Sequence, residues 1–348
     1  MARETKRSQG RSALRLVDVA ERAGVSLATA SRSLSGSDGV SQAVAAHVRH
    51  VAQQMGYVAN AHARTLAGGT TSVAGLLVYE VGDPYFAEIA SGVVKVAATH
   101  GWSVQIGHTE RRASDEAVQL RLMRAHRVGA IVMAGSGYVD AAMEAEAEKE
   151  LTAFEDDGGR VVVIGRHHVR ADAVLADNTA GGEAVAAHVL GLGHRRLAVA
   201  AGPDHLTTIA DRLTGIRAAV AAAGLDPGAL PVVHAPFTRE GGRDAVARIL
   251  AEHPGTTAVL ALNDAMATGV VSGLRDRGLA VPGDVSVTGF DDIQVAQDLS
   301  PALTTVRLPM TEMGAVALEL ALRPAAARPR RRHLAHALVV RDSTAPPP

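Results

Sequence analysis

The side chains best suited to chemistry stand just after short apolar runs of the chain: Asp83, Tyr85, Phe86, Arg166, Arg212, Phe237, Asn263, Asp264 and Asp291. In open α/β sheets ligands sit beyond the carboxyl ends of such runs. The residue types suit recognition rather than reaction. A guanidinium fork and a carboxylate facing one cleft can grip a polyhydroxylated molecule, and an aromatic ring can stack on the face of a sugar or base. The competing roles are a structural ion pair or strand-end cap for the charged and amide groups, and ordinary packing for Phe86 and Phe237.

A catalytic set is hard to assemble. The chain has no cysteine, which removes disulfides, thiolate nucleophiles and cysteine-type metal sites and suits a reducing compartment. Ser136 lies in GSG and lacks the full nucleophile-elbow pattern. Gly191-Leu192-Gly193 follows a helical stretch, whereas a dinucleotide fingerprint needs its glycines between a strand and a helix, and nothing resembles a phosphate-binding loop. His47/His50, His167/His168 and His333/His336 have short spacings but no nearby third ligand, so surface histidines are expected. The expectation is no enzyme, no metal and no cofactor.

These residues must be held by regular elements. Apolar runs occur at Val73–Val78, Ser103–Ile106, Ala130–Met133, Val161–Ile164, Leu197–Ala200, Val232–Val233, Ala258–Ala261 and Val285–Val287. Helical stretches alternate with them: Tyr85–His100, Ala117–Arg127, Gly182–Leu190, Ala210–Ala223, Glu240–Ala251 and Ala265–Arg277. Such alternation implies parallel sheets covered on both faces, and the count suits two doubly wound sheets better than one. Asp177-Asn178 and Thr304–Pro309 are candidate crossovers between two lobes. Pro324–Arg332, PAAARPRRR, reads as a surface loop before a last strand at Leu334–Val340, with contact of its arginines to a nucleic acid the less favoured reading.

The other organised stretch is Arg15–Gly36, RLVDVAERAGVSLATASRSLSG. Leu16, Val19, Ala20 and Ala23 share one face of a first helix. Gly24 can take the left-handed exit, and Ser26 can cap a second helix over Leu27–Leu34. Val25, Ala30 and Leu34 turn inward, leaving Leu27, Ala28, Thr29 and Arg32 outward. That is a helix-turn-helix. A third helix comes next, with Ser41 as cap, Val44, Val48, Val51 and Met55 as apolar positions, and Gly56 as its stop. Residues 1–66 hold nine arginines and lysines against four carboxylates, a net of +5 in a chain whose formal net charge is −1. The excess sits where phosphates are met.

At these residues the chain resembles the LacI/GalR family of bacterial transcriptional regulators. The matching pieces are Val17–Ser26, Ala28–Arg32, Val40-Ser41, Gly56-Tyr57 and Asn60–Gly68, and the likeness continues to the closing LVVRDSTAPP. The resemblance implies an all-α helix-turn-helix head joined to an α/β two-lobed body like that of periplasmic sugar-binding proteins. The expected organisation is a flexible basic arm (1–14), the head (15–58), a hinge helix or linker (59–70) and an effector-binding and dimerisation domain (71–345). Within the last, one lobe takes about 71–176 and 308–333, the other about 177–307 and 334–345.

The expected DNA contacts are Ser26, Leu27, Ala28, Thr29 and Arg32 at the start and outward face of the second helix, where Leu27 and Ala28 depart from the polar residues of better-known family members, and Asn60 and Leu66 in the segment that matches the family's hinge helix. Leu66 matches a leucine that enters the minor groove and kinks the duplex. Arg32 can grip a guanine with two hydrogen bonds, and Leu27 and Ala28 suit a thymine methyl. The resemblance assigns effector contact to Phe86, Arg166, Arg212, Phe237, Asn263 and Asp291. The implied partners are a near-palindromic operator, a small-molecule effector, most simply a sugar, and a second copy of the chain. At 348 residues and 47% hydrophobic content the chain can fill one small and two larger cores. The charged N-terminus is no signal peptide, and no run reaches the roughly 18 to 20 apolar residues of a membrane span. A soluble protein of the bacterial cytoplasm and nucleoid is expected. The alternative is a sugar-binding or sugar-processing protein without DNA regulation, disfavoured by the missing export signal and the missing acid/base or nucleophile set.

Overall fold

A computed structural model describes residues 14–35, 38–57 and 72–348. The chain divides into two compact units, 1–71 and 72–348. In the first, α1 (Leu16–Ala23), α2 (Leu27–Ser35) and α3 (Gln42–Met55) pack around Val19, Ala30 and Val48, each fully buried. Gly24 (φ +66°) closes α1 in the left-handed conformation, and the Val25 amide then donates to the Ala20 carbonyl at 3.0 Å. The Gly24 and Val25 amides thus satisfy carbonyls that a helix end leaves open. Ser41 caps α3, its hydroxyl accepting from the Val44 amide at 3.4 Å, and Gly56 (φ +68°) ends it. Asn60, Leu66 and the arm before Leu14 lie outside the described residues.

The second unit opens with β1 (Val73–Val78), α4 (Pro84–Thr99), β2 (Ser103–His108), α5 (Ala113–Ala125) and β3 (Ala130–Ala134). It continues with α6 (Ala145–Asp156), β4 (Arg160–Ile164), β5 (Asp172–Ala176), α7 (Asn178–Gly191), β6 (Leu197–Ala201) and α8 (Thr207–Ala222). Next come β7 (Val232–His234), α9 (Arg239–Glu252), β8 (Ala258–Ala261), α10 (Asp264–Arg275), β9 (Ser286–Thr288) and α11 (Val295–Asp298). Last are β10 (Thr305–Arg307), α12 (Met310–Ala321), β11 (Arg331–Leu334) and β12 (Ala337–Val339). One parallel sheet has the order β11-β5-β4-β3-β1-β2, the other β7-β6-β8-β9, and β10 pairs antiparallel with β12. Both sheets follow the doubly wound plan, with near-continuous buried runs such as Ala130–Ala134 and Leu197–Ala201 in their central strands.

Three details differ from the expectation. The single last strand at Leu334–Val340 is two: β11 joins the first sheet beside β5, the chain crosses at Ala335-His336, and β12 pairs with β10. The proline–arginine segment accordingly runs into β11 at Arg331 and is not all loop. β5 and the helices α6 and α12 are additional to the expected elements. β5 is a four-residue apolar run behind a charged start, and α6 (AEAEKELTAFED) is dominated by carboxylates that blur its apolar stripe.

Candidate functional site

The described helix-turn-helix presents Leu27, Ala28 and Arg32 to solvent, with Leu27 52% exposed. Ser26 caps α2: its hydroxyl accepts from the Thr29 amide at 3.1 Å and lies 2.9 Å from the Thr29 hydroxyl. Thr29 is therefore half-buried, and both hydroxyls are engaged in shaping the helix start. The Arg32 Nε donates to the Ala28 carbonyl at 3.4 Å, which lays the side chain along its own helix. The arrangement offers an arginine and two apolar groups on the free face of a short helix, sized for a major groove.

In the second unit a small, partly open cavity lies at the carboxyl ends of both sheets. Tyr79, Asp83, Tyr85, Phe86, Arg111, Gly135 and Ser136 line it from the first lobe. Leu206, Thr208, Arg212, Phe237, Asn263 and Asp291 line it from the second. Five of the six expected effector residues are thus brought together: Phe86, Arg212, Phe237, Asn263 and Asp291. The sixth, Arg166, is not in the wall. It is half-exposed at the rim, where its guanidinium forms a two-pronged pair with Asp211 at 2.6 and 3.1 Å. The sequence could not show this competitor, because Asp211 approaches from the opposite lobe.

Arg212 is the most constrained side chain of the site, only 3% exposed. Its Nε donates to the Asn178 side-chain oxygen at 2.9 Å, one terminal nitrogen donates to the Leu262 carbonyl, and the other to the Asp291 carboxylate at 3.0 Å. The guanidinium stacks on Phe290 with 3.6 Å to the ring centroid. The backbone allows this fit: α7 and α8 cross where a Cβ on Gly182 would meet the Arg212 carbonyl at 2.2 Å, and one on Gly215 the Thr179 carbonyl at 1.9 Å. Only glycine permits that approach.

Asp291 sits at φ +111° and its neighbour Asp292 at +60°. Such backbone costs about 1 to 3 kcal/mol for a non-glycine residue and persists when its surroundings over-determine it. Here the Asp291 amide donates to the Val306 carbonyl at 2.7 Å, so the β10 crossover holds it. Burial pushes the Asp291 carboxyl up to about 7, against the attraction of Arg212, with Asp83 adding repulsion. Asp264 is also raised by burial and by Asp291; it accepts from the Thr305 hydroxyl at 2.6 Å and the Ile293 amide at 2.9 Å. Asn263 caps α10, its side-chain oxygen accepting from the Met266 amide at 2.8 Å, while the residue also lines the cavity.

Sequence reasoning missed Arg111. β2 runs to His108, two residues beyond the expected end, and this carries Arg111 to the cavity mouth. Its guanidinium lies 5.9, 6.0 and 5.7 Å from the ring centroids of Tyr79, Phe86 and Phe237, and 3.4 Å from Asp83. A cation among rings from both lobes favours their approach. The available signal was the arginine pair after an apolar run, read by the same strand-end rule as the others.

The lobes are clasped beside the cavity. Ser136, excluded above as a nucleophile, has its hydroxyl 3.0 Å from that of Thr207 and accepts from the Thr208 amide at 2.8 Å. The Val139 amide donates to the His205 carbonyl at 2.8 Å. Behind them His167 corrects the surface-histidine expectation: its side chain is 3% exposed and its Nδ1 lies 3.5 Å from Glu144. Burial alone raises the Glu144 carboxyl, but His167 and the amides of Tyr138 and His168 override it and hold it at about 2. Among the described residues no group of three or more His, Cys, Asp or Glu could hold a metal ion.

A helix-turn-helix with an open recognition face, and a two-lobed body with charged and aromatic groups across its cleft, define a DNA-binding regulator with a ligand cavity. Residues 15–60 match the model for bacterial regulatory proteins of the lacI family, and residues 186–344 match a periplasmic binding protein-like domain. The chain is 33% identical over 314 residues to the HTH-type transcriptional regulator GalR of Escherichia coli K12, covering 90% of this chain and 89% of that protein. It is similar in structure to the transcriptional regulator CelR in complex with cellobiose, with TM-score 0.71, 29% identity, and 95% and 99% of the two chains covered. The lac repressor dimer bound to operator and the anti-inducer ONPF has the same fold, with TM-score 0.84 at 23% identity over 96% of this chain and 100% of that one. The chain belongs to the lacI family of bacterial transcriptional regulators. Its relatives are regulators and not enzymes.

Proposed function

We propose that this protein is a repressor whose hold on a near-palindromic operator is set by a sugar or similar polyhydroxylated metabolite in the interlobe cavity. The observation that carries this is the Arg212–Asp291 pair, buried against Phe290 and flanked by Phe86, Phe237 and Asn263, because fixed donors and acceptors beside rings match a polyol's hydroxyls and its apolar face. CelR, with cellobiose, supports the same ligand class. Arg166 acts at the rim through Asp211. The arm is assigned to 1–14, the head to 15–58, the hinge to 59–70 and the effector domain to 71–345. Such a repressor works in the bacterial cytoplasm on the nucleoid.

Within this reading Ser26, Leu27, Ala28, Thr29 and Arg32 shape and present the major-groove reader, and Asn60 and Leu66 belong to a hinge that enters the minor groove. A homodimer provides the two-fold match to the operator. The first lobe offers a face for it: Val81, Val94 and Ile106 are 52%, 48% and 48% exposed beside Ala87 and Ala90, next to β2, the edge strand of its sheet among the described residues. The deciding experiment is operator selection from a random duplex library, then affinity measurement with and without a sugar panel including cellobiose and galactose. A sugar that changes operator affinity by about 5- to 150-fold is expected, with reciprocal coupling. Recovery of no sequence-specific site, or a site indifferent to every polyol, overturns the reading.

A further inference from the structure

We propose that the arginines between Arg323 and Arg332 form a second DNA-contacting surface, which binds backbone phosphates of the duplex outside the base pairs read by the helix-turn-helix. The proposal rests on the chain being a DNA-binding regulator. It starts from the direction of the first sheet. All six strands run parallel, with Val73 level with Ser103 and Ala74 level with Ala130 and through it Arg160. The starts of the strands therefore share one end of the lobe. The chain from the DNA-binding head arrives at this end, since Ser72 leads directly into β1.

The arginine segment lies at the same end. Ala325, Ala326 and Pro329 form one wall of a groove whose other wall holds Glu155, Gly158, Gly159 and Arg160 at the start of β4 and Arg170 and Asp172 at the start of β5. Residues 323–332 contain five arginines and no carboxylate, in a chain whose charges otherwise nearly balance at 35 to 36. Arg330 is occupied: it donates to Asp172 at 3.2 Å and to the Pro324 carbonyl at 2.8 Å, and Asp172 also holds Arg160 at 3.2 Å. That buried carboxylate anchors the segment. Arg323, Arg328, Arg331 and Arg332 are exposed, and none forms an ion pair among the described residues. Exposed Arg127, just before β3, adds a positive group at this end, where Asp157, just before β4, is already paired with Arg124 and Asp156 is exposed.

Charges on an edge strand also prevent pairing with another sheet. That role accounts for Arg331 and Arg332, which lie on the edge strand β11, but not for Arg323 and Arg328, which lie off it. Exposed arginines at a helix end, in a loop and on a strand of one end of the lobe suit a polyanion, and duplex DNA presents one negative charge about every 1.7 Å of helix axis. Residues 58–71 join the head to Ser72, just before β1 begins at this end of the body.

The test uses the full chain and operator duplexes recovered by selection, as the bare core site or extended by about 10 base pairs, one helical turn, on each side. Compared with wild type are Arg328→Ala, Arg331→Ala and Arg332→Ala combined, the same three changed to Lys, and a control with Arg217→Ala, Arg248→Ala and Arg277→Ala. On the extended duplex the triple alanine variant should lose roughly 0.9 from the log–log salt slope per contact removed, about threefold in affinity change per contact between roughly 50 and 200 mM salt. The lysine variant should keep most of the wild-type slope. The control should match wild type, and on the core duplex all four should coincide. A wild-type slope in the triple alanine variant, or equal losses in the control, overturns the proposal. Increased self-association with an unchanged slope assigns the arginines to edge protection and also overturns it. Failure of wild type to prefer its selected site over random duplex sinks the regulator reading itself, a different result from either.

Discussion

Arg32 in the head and Arg212 in the body are both carried on helices, yet their surroundings are opposite. Arg32 is exposed on a short helix and lies along its own backbone at the Ala28 carbonyl. Arg212 is 3% exposed, and its donors are taken by Asn178, Leu262 and Asp291, which come from three other elements or their ends. Arg32, proposed as a base reader, is held at the surface and not within the core of the head. A buried arginine is part of the fold before any ligand arrives, so the recognition proposed for Arg212 cannot be altered separately from stability.

The sharpest way to break that contrast is to remove each arginine. Arg212→Ala leaves Asp291 buried without its partner and the Leu262 carbonyl without its donor, and should cost about 3 to 5 kcal/mol of stability. Chemical unfolding of the effector domain checks this, together with loss of the sugar response at a temperature where the variant is folded. A loss below about 1 kcal/mol shows that Arg212 contributes no more to the fold than a surface charge does. Arg32→Ala should change unfolding far less than Arg212→Ala and cost about 1 to 3 kcal/mol at one base pair of each half-site. Binding to single-site operator variants measures it, and uniform weakening across all variants makes Arg32 a phosphate contact only.

Protonation sharpens the comparison further. The folded Asp291 carboxyl, raised to about 7 by burial, binds a proton more readily than the unfolded one. Its contribution to stability is therefore greatest at low pH and declines as pH climbs from about 4 to about 7. A sugar hydroxyl that donates to Asp291 needs the ionised form, so effector affinity should rise about tenfold from pH 6 to 8. Isothermal titration on wild type and Asp291→Asn decides this; a flat wild-type profile separates the carboxylate from ligand binding. The smallest expected effect is in the head, where Gly24→Ala forces a side chain into φ +66°. It should cost the head about 1 to 2 kcal/mol, seen as a lower melting point of that unit with the body unaffected.

Local spacing was enough for the helix-turn-helix, because every device in it acts within a few residues. Gly24 turns the chain, Ser26 caps the second helix, and the apolar positions of three short helices meet. The same holds for the strands at the centre of each sheet, whose continuous apolar runs need no partner to be recognised. The six expected effector positions owed their selection to the family resemblance together with the strand-end rule, and five reach the cavity.

What sequence alone determined is therefore the part of this protein governed by near neighbours: the head, the alternating body, and which strand ends could carry a ligand. Tertiary structure decided how those ends were used. It paired Arg166 with Asp211, brought Arg111 among rings of both lobes, buried His167 against Glu144, and split the final strand between two sheets. Each outcome depends on a partner distant in the chain. The physical reason is that desolvation and ion pairing are set by what closes over a group, and closure exists only once both lobes have formed.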